Sequence, residues 1–406
     1  MNIFSYIITS SFKHLKLRRY TFKIKSVTTY RTAFILLFLL LTTIIVFYEY
    51  KFSYYVVLRP LGFEACSSGI KNAFEGEIEL HTNIESIFHK RRKSCSKYML
   101  SIYKRNDKIM PRNTNHSDCS ISYVTMNPKG RLGNQICQYL SLALLKDFFD
   151  IRVAIHRKMY DKLSPNFKTS IPVSNSSCFT KDLAKISYKT LYSMLYKEAV
   201  NKRTPQDALK VSYHIDDYPC PAEILIQNRQ YFKEMLSLHN HTQQKITEYI
   251  KDNLRKLQNY ENKVLISIHV RRTDYLRHMN ILYKRSVLTP CYYINAINFY
   301  RKRYDNQVIF LLSSDDLDWC KAFLSFPDVI NAGNGTKDEA VYDFFLLSSC
   351  NHHIIGLGTF GFLSAFYGNG TIMYPLIDTD KPSELERSYI CSNSSILIPM
   401  LDNIYS

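Results

Sequence analysis

Apolar residues run in continuous blocks through the second half of the chain, separated by stretches with helical spacing. The runs at 264–270 (VLISIHV), 308–312 (VIFLL) and 353–356 (HIIG) are short and β-branched, so they predict strands buried on both faces. Between them, Ile294, Ile297 and Tyr300 fall on one helical face of 292–304. Residues 319–323, 341–349 and 359–367 also predict helices. Strand, helix, strand, helix in this order predicts an α/β body whose parallel sheet is covered on both faces. The first half is less regular. Residues 122–126 and 151–155 predict strands, and Asn127-Pro128-Lys129-Gly130 predicts a turn. Ile136, Tyr139, Leu140, Ala143 and Leu144 mark one face of a helix. Residues 224–227 predict a strand and 231–238 the start of a helix, while 156–222 gives no clear pattern.

The amino end differs from this body. Residues 32–48 carry no charge, at the short end of the ~17–25 residues that span a bilayer. Residues 1–31 hold Lys13, Lys16, Arg18, Arg19, Lys23, Lys25 and Arg31 and no acid, so the positive-inside rule keeps them cytosolic. The expectation is a type II single-pass signal anchor rather than a cleaved signal peptide or a buried core helix. The bulky exit Phe47-Tyr48-Glu49-Tyr50 offers no small-residue cleavage site. The predicted organisation is a basic tail at 1–31, an anchor at 32–48, a stem at 49–118, and a body divided into halves at 119–260 and 261–406.

A lumenal body agrees with two further patterns. Sequons at Asn115, Asn175, Asn240, Asn334, Asn369 and Asn393 all follow the anchor, as do all ten cysteines. None of the cysteines forms a C-x-x-C pair, which favours disulfides over metal binding. Cys137 and Cys350 lie in apolar helical patterns and read as buried thiols. The net charge of +18 raises nucleic-acid binding. Its concentration in the tail and at Lys90-Arg91-Arg92-Lys93, with no nucleic-acid motif anywhere, argues against that partner.

Three loop-to-helix junctions carry the candidate chemistry. In His269-Val270-Arg271-Arg272-Thr273-Asp274, charged residues follow a strand directly. Ligands of open α/β sheets sit at such ends, and two guanidiniums there suit a pyrophosphate. A solvated basic loop is the alternative. Gly130-Arg131-Leu132-Gly133-Asn134-Gln135 precedes a helix, whose N-terminus favours anions. In Gly356-Leu357-Gly358-Thr359-Phe360-Gly361, Thr359 reads as a helix cap, and its hydroxyl also suits a phosphate oxygen. Asp343 lies on the preceding helix, where an exposed acid is the plain expectation. Asp315-Asp316 follow a strand, but adjacent acids point apart if extended and form no Asp-x-Asp metal element.

GRLGNQICQY, HVRRTDY, FLLSSDDLDWC and NHHIIGLGTFGFLSAFYGNG resemble the signatures of galactoside α-1,2-fucosyltransferases, glycosyltransferase family 11. IQNRQYF at 226–232 and Tyr292-Tyr293 are weaker echoes, and the resemblance runs from about Ser122 to Pro375. It implies a GT-B-like fold of two Rossmann-like halves. The carboxyl half would bind GDP-fucose, and the amino half would face the acceptor. It also implies inversion of GDP-β-L-fucose to an α-linked product on a glycoprotein or glycolipid glycan, with no cofactor or metal, at the Golgi membrane. On that resemblance Arg271, Arg272 and Asp274 become catalytic candidates, Asp274 as base or orienter. His269, Arg271, Arg272, Asp343, Gly358, Thr359, Phe360, Gly133 and Asn134 become donor-binding candidates. The H-x-R-R-x-D element is shared with α-1,6 and protein O-fucosyltransferases, so those linkages remain open. A catalytically silent glycan-binding protein on the same fold also remains open. Leu363, Ser364 and Phe366 depart from the family's usual pattern after GTFGF.

Overall fold

The structure, a computed structural model, describes residues 121–174, 183–255, 260–333, 340–377, 379, 382–392 and 394–402. The expected tail, anchor and stem lie outside the described residues, as do Asn115, Asn175, Asn334 and Asn393. Asn240 and Asn369 are exposed.

The body is α/β, with two parallel sheets. The first is small, with β1 (Val124–Met126), β2 (Ala184–Ile186) and β3 (Tyr213–Ile215) in the order β1-β3-β2. Its main helices are α1 (Leu132–Phe149), α2 (Arg157–Leu163), α3 (Tyr188–Val200), α4 (Ala222–Gln227), α5 (Arg229–Met235) and α6 (Asn240–Arg255). The expected strand at 151–155 is reduced to isolated bridges at Val153 and Ile155. The expected strand at 224–227 is instead α4, which follows Pro221 and carries Glu223 in its first turn. A run of three apolar residues has no period of its own, and here Ile224, Leu225 and Ile226 are all buried in a helix.

The second sheet has six parallel strands in the order β6-β5-β4-β7-β8-β9. The strands are β4 (Val264–Val270), β5 (Val308–Ser314), β6 (Val329–Asn331), β7 (His352–Ile355), β8 (Ile372–Leu376) and β9 (Leu397–Leu401). Helices α7 (Thr273–Tyr283), α8 (Pro290–Arg303), α9 (Leu317–Phe323), α10 (Ala340–Ser348), α11 (Thr359–Tyr367) and α12 (Glu384–Ser392) connect or follow them. Every residue of β5 and β8 is buried, as continuous apolar runs in a covered sheet require. One core joins both parts, because α11 contributes Phe362, Leu363 and Phe366 to the cluster that holds Ile136, Leu140 and Leu144 of α1.

Two devices fix α11. Arg229 of α5 donates to the carbonyls of Ala365 (2.6 Å), Phe366 (2.6 Å) and Gly368 (2.7 Å), so one planar fork satisfies the open end of the helix. At the opposite end the chain enters through Gly358 at φ +93°, a conformation that disfavours any side chain. A Cβ there would also stand 2.5 Å from the Tyr275 hydroxyl. The helix therefore has Gly358 at its cap position with no capping side chain, and Thr359 is its first residue rather than its cap.

Cys137 is not a free thiol. It is bonded to Cys220, joining α1 to the segment before α4. Cys291 and Cys391 are also disulfide-bonded, while Cys350 and Cys320 are buried free thiols.

Candidate active site

Strand order places the site. From β4 the chain moves outward through β5 and β6 on one side, and β7, β8 and β9 lie on the other. The connections leaving β4 and β7 thus diverge, and the gap between them is the topological switch point where open α/β sheets bind ligands. Register sets what meets there. Val270 pairs with Ser314 and His269 with both Ser313 and Ile355. Arg271-Arg272, Asp315-Asp316 and Gly356 accordingly leave the sheet at the same level.

Asp315 is the anchor of this edge. Its carboxylate accepts from the Arg271 guanidinium, from the Thr273 hydroxyl, and from the Arg272 backbone N–H at 2.9 Å. Arg271 also pairs with Asp274, and its side chain is 13% exposed. Asp274 in turn reaches Arg131 of the first half at 3.4 Å. Four alternating charges therefore run from the Gly130–Gln135 loop to the end of β5. Both oxygens of Asp274 face guanidiniums, Oδ1 that of Arg271 and Oδ2 that of Arg131. Arg272 points elsewhere. Its Nε meets Asp316 at 3.3 Å, and its guanidinium lies 4.2 Å from the Trp319 ring centroid. Arg271 lines the central cavity and Arg272 does not.

That cavity, of about 1090 Å³, brings together His269, Arg271, Asp274, Asp343, Gly358, Thr359 and Phe360 of the predicted set with Gly133 and Asn134. The Thr359 hydroxyl donates to Asn134 Oδ1 at 2.6 Å, tying the N-terminus of α11 to the first half. Gly133 is needed at this approach, since a Cβ would stand 2.7 Å from the Phe360 amide nitrogen. Phe360 packs its ring on His269 at 5.1 Å between centroids. Asp343 is not the exposed helix acid that its position suggested. It is 2% exposed, and accepts from Tyr249 at 2.9 Å and from Ser313 at 3.2 Å. Sequence reasoning missed Asp315 and Asp316 as partners of the arginines, and missed Ser313. Their signal was the acidic pair ending one apolar run beside the basic pair ending another.

His269 is buried and has no hydrogen-bond partner for Nδ1 among the described residues. Burial, reinforced by the Arg271 charge, lowers its pKa from 6.5 to about 4. The ring is therefore neutral at physiological pH. Because the folded-state value lies below the unfolded one, the unfolded chain binds the extra proton first. The stability contribution is complete above pH 6.5 and is lost as pH falls toward 4. By pH 5 this one residue should cost roughly 2 kcal/mol. Urea midpoints from pH 7 to 5 should fall more steeply for the wild type than for His269→Asn; parallel slopes would refute the assignment.

The model of the family described as Glycosyl transferase family 11 matches residues 84–389. A galactoside 2-alpha-L-fucosyltransferase SEC1 of Bos taurus is 27% identical over 62% of this chain and 66% of its own length. A galactoside alpha-(1,2)-fucosyltransferase 2 of Sus scrofa is 28% identical over 62% of this chain and 71% of its own. A galactoside alpha-(1,2)-fucosyltransferase 1 of Mus musculus is 31% identical over 62% and 64%. The chain thus spans slightly less than two thirds of the bovine and mouse relatives. Among solved structures, the NodZ alpha-1,6-fucosyltransferase co-crystallized with GDP has a TM-score of 0.38 at 11% identity, covering 62% of this chain and 94% of that one. An Arabidopsis thaliana FUT1 variant in complex with GDP has a TM-score of 0.39 at 12% identity, covering 73% and 78%. With a family model that matches three quarters of its length, from residue 84 to residue 389, the chain belongs to glycosyl transferase family 11.

Proposed function

We propose that this protein is an inverting α-1,2-fucosyltransferase that moves L-fucose from GDP-β-L-fucose to the 2-hydroxyl of a terminal galactose. The observation that carries the reading is Arg271, fixed by Asp315 and Asp274 at the switch point and facing the cavity beside the N-terminus of α11. Family membership narrows the anion that such a clamp would hold, and the relatives' names supply the linkage.

In this reading the body is GT-B-like, with 261–406 as the donor half and 119–260 as the acceptor half. The diphosphate lies between Arg271 and the amides that open α11, where the helix dipole adds positive potential. Asp343 and His269 line the nucleotide side. Arg272 serves as a support, keeping the loop after β4 in place through Asp316 and Trp319. The acceptor hydroxyl attacks fucose C1 as the C1–O bond to GDP breaks. Charge then grows on the leaving diphosphate, where a preorganised guanidinium stabilises it without a metal. The transition state resembles an oxocarbenium ion, so proton loss from the hydroxyl can lag and needs no strong base. The disulfides support a lumenal body, and the uncharged stretch at 32–48 supports a type II anchor in the Golgi membrane.

The test uses the full chain in detergent with GDP-fucose and acceptors ending in galactose, N-acetylglucosamine or a peptide hydroxyl. The expected product is fucosylated galactose that an α-1,2-specific fucosidase reverses. Transfer confined to N-acetylglucosamine or peptide would replace the reading with an α-1,6 or O-linked activity. GDP binding with no transfer would make the protein a silent binder.

A further inference from the structure

The cavity extends beyond the diphosphate clamp. At about 1090 Å³ it exceeds the ~300–1,000 Å³ of a site for one small ligand. Its lining also includes Met279 and Leu282 of α7 and Tyr218 from the first half. Leu282 is 56% exposed and Tyr218 57%. Both side chains thus present apolar surface to the cavity while staying open to solvent.

The segment around Tyr218 is tied down on both sides. Asp216 holds the Lys129 ammonium at 3.0 Å on its carboxylate and 2.7 Å on its carbonyl. Asp217 Oδ2 accepts the Tyr188 backbone N–H at 2.9 Å. Cys220 is bonded to Cys137 of α1. The Lys129 ammonium also lies 5.4 Å from the centroid of the Tyr218 ring, which orients the ring and occupies one of its faces. The result is an exposed aromatic on an immobilised five-residue segment, a preorganised surface that loses little entropy on binding.

Resting on the activity proposed above, we infer that Tyr218 is the stacking platform for the acceptor's terminal sugar, and that it favours a galactose-configured pyranose. The axial 4-hydroxyl of galactose leaves the opposite face as an uninterrupted C–H patch at C3, C4 and C5. Such a patch packs on an aromatic face. An equatorial 4-hydroxyl, as in glucose, breaks that patch.

The experiment compares the full chain with Tyr218→Ala and Tyr218→Phe, varying galactose- and glucose-terminated acceptors at saturating GDP-fucose and, separately, GDP-fucose at saturating galactose acceptor. Because the ring is exposed, neither change should alter the thermal midpoint. Tyr218→Ala should raise the KM for the galactose acceptor about tenfold, leave the KM for GDP-fucose unchanged, and reduce the preference for galactose over glucose. Tyr218→Phe should behave as wild type, since the ring and not the hydroxyl is used. An acceptor KM within about twofold of wild type in Tyr218→Ala would overturn the inference. So would a parallel rise in the KM for GDP-fucose, or an equal loss in Tyr218→Phe. A wild-type protein that transfers no fucose would overturn the proposed activity and this inference together, whereas normal transfer by Tyr218→Ala overturns the inference alone.

Discussion

Arg271→Ala should lower fucosyl transfer by roughly 10²–10³-fold, the loss expected when a preorganised donor to a developing anion is removed. The surroundings of Arg271 already prepare it for that role. Asp315 and Asp274 hold the guanidinium in place, so no reorganisation is needed as charge moves onto the diphosphate. At 13% exposure the side chain is also shielded from water, which strengthens its interaction with a bound anion. Arg271→Lys retains the charge but loses the planar fork, and it should recover only part of the activity. Calorimetry with GDP should show weaker binding in both variants. Near-wild-type transfer by a folded Arg271→Ala protein would remove Arg271 from the mechanism. Arg272→Ala is the internal contrast. Because that guanidinium faces Trp319 rather than the cavity, its loss should act through loop order and cost less than the loss of Arg271.

The second sheet was legible because its strands are buried on both faces. Runs such as VLISIHV and VIFLL have no polar face to confuse their assignment. The first sheet was not, since three strands of three residues each leave almost no period to read. At 224–227 the same shortness reversed the assignment. The arginine end of β4 was visible as a candidate from the sequence, because charge follows an apolar run directly. Its carboxylate partners were not. Extended acids at 315 and 316 would point apart, but β5 ends at Ser314, and both turn toward the neighbouring strand's loop. That neighbour is fixed only by sheet order and register, which no local pattern encodes. The burial of Asp343 has the same origin: it depends on α10 packing where Ser313 and Tyr249 can donate to its carboxylate.

Asp315→Ala should destabilise the protein by about 3–5 kcal/mol and also suppress transfer, although Asp315 is not expected to touch the reacting atoms. The carboxylate is 16% exposed and serves the Arg271 guanidinium, the Thr273 hydroxyl and the Arg272 amide together. Removing it leaves a guanidinium in a poorly hydrated site with only Asp274 as counter-charge, and frees the N-terminal turn of α7. Breaking one side of such a pair is costly, whereas replacing both sides with apolar groups is often nearly neutral. A double-mutant cycle separates the two roles. Asp315→Leu combined with Arg271→Met should regain most of the stability lost by Asp315→Leu alone, measured by urea denaturation. Transfer by the double variant should remain at the level of Arg271→Ala, because the diphosphate still lacks its guanidinium. Strict additivity of the two stability losses would mean that the pair is not coupled, and that Asp315 holds the loop through the Arg272 amide and Thr273 alone. Equal losses of transfer in Asp315→Leu, Arg271→Met and the double variant would show that Asp315 acts on catalysis through Arg271.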